Sequence, residues 1–259
     1  FSVACFEAVG PMAHSLQLIP AAAESVKRIQ ELATAAPPVA DPLQPQTPAD
    51  SSMVLDLVDL GYENGPLVLE RFSLQLAAGE QVAVVGPSGS GKSSLIELLL
   101  RFRPYQGSVR IGGAELREIP MEQLAKLVAA VPQQPHLFNS SIRDNILLGR
   151  GCSTEWLEVI LHTCCLDDWI SGLPNGLDTP VGEAGSAVSG GEARRIALAR
   201  ALVADTPILL LDEPTEGLDG ATEQMVVEHL KARLQGKTVL VVTHRPACLA
   251  LAERVITIK

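Results

Sequence analysis

The segment Gly86-Pro87-Ser88-Gly89-Ser90-Gly91-Lys92-Ser93 restricts the fold more than any other stretch of this chain. It follows a near-continuous apolar run, Gln81 to Val85, and it precedes Ser94 to Leu100, which has helical composition. A buried strand, a glycine-rich turn and a helix in that order bring backbone N–H groups and the positive end of a helix dipole to one point, which suits a phosphate. The amides of Gly86, Pro87, Ser88, Gly89, Ser90, Gly91, Lys92, Ser93 and Ser94 form the expected cradle, less the missing N–H of the proline. The Lys92 ammonium reaches the outer phosphates, and the Ser93 hydroxyl is placed to ligate Mg2+.

A second apolar run, Pro207 to Leu211, ends in Asp212 and Glu213. Two acids at the end of a buried strand call for a cation. Asp212 is expected to hold Mg2+ through water, and Glu213 to face the γ-phosphate and act as general base on the attacking water. A third element, Ser189-Gly190-Gly191-Glu192, opens the helix-forming run Ala193 to Leu202 and is a second helix N-terminus with exposed amides. One chain needs only one γ-phosphate pocket, so this anion site is expected to serve the nucleotide of another molecule, which implies a dimer.

The remaining sequence gives these elements their setting. Met53 to Leu60 and Leu67 to Leu76 alternate apolar and polar residues, as in an antiparallel β subdomain, whereas Thr238 to Thr243 reads as another strand buried on both faces. Ala35 to Ser52 carries five prolines and reads as an extended linker. Residues 1 to 35 are apolar as far as Ala23 and charged from Glu24 to Glu31. No basic n-region marks a signal peptide, and the uncharged run from Ala8 to Ala23 falls short of the roughly 20 residues of a full span, so residues 1 to 35 fit either the last part of a span with its extension or a soluble amphipathic helix. A net charge of -10 argues against non-specific nucleic-acid binding. The five cysteines have no ligand-like spacing and suggest neither a zinc site nor a disulfide framework; Cys164 and Cys165 are given no role.

A phosphate loop, a Ser-Gly-Gly segment and Asp-Glu-Pro in this order resemble the ATP-binding domains of ABC transporters, over Met53 to Lys259. The resemblance implies an α/β fold of the P-loop NTPase type: a largely parallel core sheet, an antiparallel β subdomain and a helical signature subdomain at about 134–205, preceded here by the membrane-helix remnant. It implies that adenine stacks on Tyr62, that Gln133 (rather than Gln134) contacts Mg2+, that His244 contacts the γ-phosphate and that Asp219 lies at a dimer interface. Val188 and Glu192 stand where the family usually has Leu and Gln. Thr179 to Gly185 is similar to the loop with which exporter cassettes touch their membrane domain. Phe6 to Met12 together with Asp212 to Asp219, in which Glu216-Gly217 stand where most exporters have Ser-Ala, resemble the CydC-type subunits of bacterial thiol exporters. That likeness implies ATP and Mg2+ as cofactors, a heterodimer with a CydD-type partner, residence in the inner membrane, and export of cysteine or glutathione in support of cytochrome bd assembly. An exporter of another cargo (lipid, peptide or drug), a cassette that binds ATP without turnover and a soluble ABC ATPase remain as alternatives.

Overall fold

The computed structural model describes residues 19–20, 22–31, 33–34, 41–62 and 65–258. The chain forms two compact units, Phe1–Ala40 and Asp41–Lys259. Every described residue of the first unit is helical (α1, within 19–34), and the ion pairs Glu24–Arg28 and Lys27–Glu31 brace the helix at i,i+4 spacing. The apolar run expected to end a membrane helix lies mostly in residues 1–18, outside the described residues. Among the described residues no helix is long and apolar enough to cross a membrane.

The second unit opens with strands β1 (Met53–Gly61), β2 (Leu67–Leu76) and β3 (Gln81–Val85), and helix α2 (Lys92–Leu99). Strands β4 (Gln106–Ile111) and β5 (Ala114–Glu115), helix α3 (Met121–Leu127) and strand β6 (Val128–Val131) follow. Four helices come next: α4 (Ile142–Leu147), α5 (Thr154–Thr163), α6 (Asp167–Ser171) and α7 (Gly190–Val203). The unit closes with β7 (Ile208–Asp212), α8 (Gly220–Arg233), β8 (Thr238–Val242), α9 (Pro246–Leu249) and β9 (Arg254–Thr257). Strands β2-β1-β4-β5 make an antiparallel sheet, and β6-β7-β8-β3-β9 make a sheet in which every pairing is parallel.

The parallel sheet stands between two apolar cores. On β7 and β8 successive side chains point to opposite faces. Leu209, Leu211, Val239 and Val241 join the core that contains the helices of the β6–β7 connection, while Ile208, Leu210, Leu240 and Val242 join the core shared with α2 and the antiparallel sheet. Burial on both faces explains why these runs are continuously apolar. β1 and β2 keep one wetter face, hence their alternation.

The proline-rich stretch expected as a linker is divided. Residues 36–40 lie outside the described ones, whereas 41–52 dock on the antiparallel sheet and its neighbours. Asp41 Oδ1 accepts from the Met121 N–H at 2.9 Å, the Gln46 N–H donates to the Glu118 carbonyl at 2.7 Å, and the Ala49 N–H donates to the Gly112 carbonyl at 3.0 Å. Prolines stop this stretch from joining a sheet, yet its other backbone groups find partners one at a time.

Candidate functional site

Three strand ends of the parallel sheet deliver the site. β3 runs into Gly86–Ser93, β7 ends at Asp212 with Glu213 next, and β8 leads to Thr243 and His244. Between them opens a cleft of about 520 Å³ lined by Tyr62, Val68, Gly86, Ser88, Gly89, Gly91, Lys92, Ser93, Ser94, Gln133, Asp212, Glu213, Val242 and His244. Such a crevice at the carboxyl ends of parallel strands is the usual ligand position in α/β sheets.

The loop geometry follows from two glycines. A Cβ on Gly86 would stand 2.5 Å from the Ile258 carbonyl oxygen, because the loop starts flush against the segment after β9. Gly91, with φ of 90°, caps α2 in the left-handed region, and a Cβ there would meet Val68 Cγ1 at 2.8 Å. The loop is closed on itself: Lys92 Nζ donates to the carbonyls of Gly86 (2.9 Å) and Pro87 (2.7 Å). These are weak substitutes for phosphate oxygens, and an incoming anion would release the ammonium from them.

Asp212 accepts a hydrogen bond from Ser93, and burial pushes its carboxyl above the usual carboxylate range, with the Glu213 charge adding to the rise and Ser93 and Lys92 opposing it. A buried carboxylate and a hydroxyl sharing one proton fit Mg2+, which prefers hard oxygen donors and completes its shell with waters and phosphate oxygens. Glu213 is buried and sits in the left-handed region, with φ of 47°. It accepts from Thr243 Oγ1 at 3.1 Å and pairs with His244 Nδ1 at 2.6 Å. With the carboxylate ionised, Nδ1 is the donor. Each group thereby occupies the other.

Tyr62 stands exposed at the mouth. Its hydroxyl shares a hydrogen bond with Ser94 Oγ at 3.0 Å, and the Arg103 guanidinium, held by Glu97 at 2.5 Å, lies 4.3 Å from the ring centroid. Of the residues expected around the nucleotide, Pro87 and Ser90 do not line the cleft. Ser90 Oγ is buried and without a partner among the described residues, 2.8 Å from where a Gly86 Cβ would be. Val68 and Val242 are walls that sequence reading missed, since an apolar strand residue carries no chemical signal.

The segment Ser189–Glu192 is elsewhere on the surface and contributes nothing to this cleft. It opens α7 with a capping box: Ser189 Oγ accepts from the Glu192 N–H at 3.3 Å, and Glu192 Oε2 accepts from the Ser189 N–H at 2.6 Å. A Cβ on Gly191 would press at 3.2 Å on Gly217 O, which explains that glycine from within the chain, whereas a Cβ on Gly190 would meet no described atom within 4 Å apart from its chain neighbours and its own helix backbone. Asp219 caps α8, accepting from the N–H groups of Ala221 and Thr222. The loop Thr179–Gly185 is stitched to the stretch after Gln133, with the Val181 N–H donating to the Ser140 carbonyl at 3.0 Å, and Phe138 is exposed beside it.

Parallel sheet, glycine loop and paired acids define an ATP-binding domain of the phosphate-loop class. The sequence pattern of the ABC transporter family matches residues 69–216, more than half of the chain, and the chain belongs to that family. It is 38% identical over 98% of its length to the glutathione/L-cysteine transport system ATP-binding/permease protein CydC of Escherichia coli K12, and 39% identical over 96% to the CydD protein of that system in Bacillus subtilis 168. It covers 45% and 44% of those two proteins, so the chain spans about half the length of the curated relatives it matches. A solved bacterial Atm1-family ABC exporter with ATP bound superimposes on 99% of this chain, and on 46% of its own, with a TM-score of 0.84 and 32% identity.

Proposed function

We propose that this chain is the ATP-hydrolysing part of an ABC exporter half-transporter that works on the cytoplasmic face of a bacterial inner membrane as a heterodimer with a CydD-type half. The observation that carries the reading is the meeting of Lys92, Ser93, Gln133, Asp212, Glu213 and His244 in one cleft to which Ser189–Glu192 contributes no residue. Residues 1–35 are taken as the end of the last membrane helix and its extension, 36–40 as what remains of the linker, and the cassette as Asp41 onward.

In this reading adenine stacks on Tyr62, and the amides from Gly86 to Ser94 hold the phosphates. Ser93, Gln133 and, through water, Asp212 would hold Mg2+, whose charge would offset that of the phosphates. Lys92 exchanges its two loop carbonyls for phosphate oxygens and stabilises charge in the transition state. Glu213, freed from His244, takes the proton of the attacking water. His244 then turns to the γ-phosphate. Ser189, Gly190, Gly191 and Glu192 complete the partner's pocket, and open space around Gly190 supports that use, because the chain's own packing does not require a glycine there. Asp219 lies by that seam, and Thr179–Gly185 with Phe138 offers the surface for the membrane domains.

The cargo proposed is cysteine or glutathione, in support of cytochrome bd assembly; likeness to the CydC and CydD proteins supports it. Likeness to an ATP-dependent lipid A-core flippase supports a lipid cargo as the second reading.

The test uses the full-length transporter with its partner half. Glu213→Gln should retain ATP and lose vanadate-sensitive turnover by about 100-fold or more; turnover at the unmutated rate would sink the assignment of Glu213. Uptake of radiolabelled glutathione into inverted vesicles, dependent on ATP, decides the cargo.

A further inference from the structure

Arg194 is a buried arginine to which the site described so far gives no task. It lies in the second turn of α7, five residues after Ser189. Its guanidinium donates through Nη2 to the carbonyl of Gln133 and through Nη1 to the carbonyl of Glu216, whose Oε2 is 3.3 Å from the same Nη1. Nε is buried without a partner among the described residues, so these contacts alone set the position of the group. Each of the two carbonyls belongs to a segment that touches the nucleotide cleft. Gln133 lines it directly, and the Glu216 N–H donates to the carbonyl of Glu213 at 3.1 Å.

We propose that Arg194 is a positioning residue that clamps the Gln133 segment and the Glu213–Glu216 segment to the helix carrying Ser189, and so couples this chain's nucleotide site to the one it completes on the partner. The proposal rests on the reading of Ser189–Glu192 as part of the partner's pocket. A planar guanidinium holds two carbonyls in one fixed geometry, which an ammonium on a flexible stem does not. Any shift of Gln133 toward an occupied cleft therefore drags on Arg194 or breaks a charge-assisted bond. Arg194 sits close behind the capping box, so the shift is passed to the first turn of α7. Occupancy of one cleft then sets the aim of the serine offered to the other.

The experiment uses the full-length transporter with its partner half, carrying Arg194→Lys, or separately Glu216→Ser, which removes the carboxylate while leaving both backbone contacts available. Binding of the fluorescent analogue TNP-ATP at this chain's phosphate loop is measured with the partner's loop disabled, and steady-state ATP turnover is measured over a range of ATP concentrations. Analogue binding should stay within about twofold, kcat should fall about tenfold for Arg194→Lys and less for Glu216→Ser, and the Hill coefficient should drop toward one in both. An unchanged Hill coefficient in both variants overturns the coupling, whatever happens to kcat. Loss of analogue binding in step with turnover also overturns it, because Arg194 then merely supports its own pocket. Glu213→Gln in the same complex separates the two levels. If it abolishes turnover while the Arg194 and Glu216 variants stay cooperative, only the coupling falls; if it turns over at full rate, the reading beneath falls and the coupling with it.

Discussion

Asp212, proposed to hold Mg2+ through water, shows how a residue placed for such a role opposes stability. Its folded carboxyl titrates above the usual range, chiefly because burial penalises the charge. Such a group favours folding most fully below its unfolded pKa, and that contribution is lost as pH rises through the raised folded value. Ionising this desolvated carboxylate in the nucleotide-free cassette is therefore costly, and a bound cation would offset that cost. Asp212→Asn should raise the Tm of the nucleotide-free protein by a few degrees at pH 7 and change it little in acid, while lowering Mg2+-dependent turnover about tenfold or more. A Tm at pH 7 equal to or below that of the unmutated protein would contradict the burial argument. Lys92 makes a related point: its ammonium rests on two loop carbonyls, contacts made by the chain itself that no motif announces.

Between elements, one pairing that ties together the strand ends lining the cleft is Arg245 with Glu223. Arg245 follows His244 after β8, Glu223 lies in the first turn of α8, and they form a bidentate pair at 2.5 and 2.6 Å. Thr215 Oγ1 also donates to Glu223 at 2.6 Å, and the carboxyl is held below its ordinary range, first by the Arg245 hydrogen bond. The sign is opposite to that of Asp212: this stabilisation is present above the unfolded pKa of the carboxyl and is lost as pH falls through the depressed folded value. Glu223→Gln should cost about 3 kcal/mol at pH 7 in denaturant unfolding. The deficit should shrink as pH falls below the ordinary glutamate range; a deficit constant with pH would show that packing, not charge, links α8 to the loop after β8. The strands themselves were legible beforehand. β2 and β3 occupy the runs expected of them, β8 ends one residue early and β7 is shifted by one residue at both ends; β3, β7 and β8 stand out because a strand buried on both faces leaves an unbroken apolar signature.

For the whole molecule, the consequential fact is that Ser189–Glu192 contributes no residue to the cleft. If a second cassette must supply the signature, dilution should disable an isolated chain. The specific ATPase activity of the separated 259-residue chain is expected to rise with its own concentration, whereas the membrane-assembled transporter, with its two cassettes held together, should show no such dependence. A specific activity independent of concentration for the separated chain would mean that one cassette completes its own site.

The candidate site was legible in the sequence where it is local: a strand, a glycine turn and a helix place the nine consecutive residues Gly86 to Ser94 of the proposed phosphate cradle together, and an apolar run ending in Asp212 and Glu213 puts two carboxylates at one strand end. The likeness of those motifs to ABC cassettes then supplied Tyr62, Gln133, Asp219 and His244. Only the tertiary structure decided how distant segments meet. The docking of 41–52 on the antiparallel sheet, the rest contact of His244 with Glu213 and the reach of Arg194 to Gln133 and Glu216 join positions tens of residues apart. Such contacts go to backbone carbonyls and to groups brought close by chain topology, and neither carries a side-chain pattern that a sequence can display.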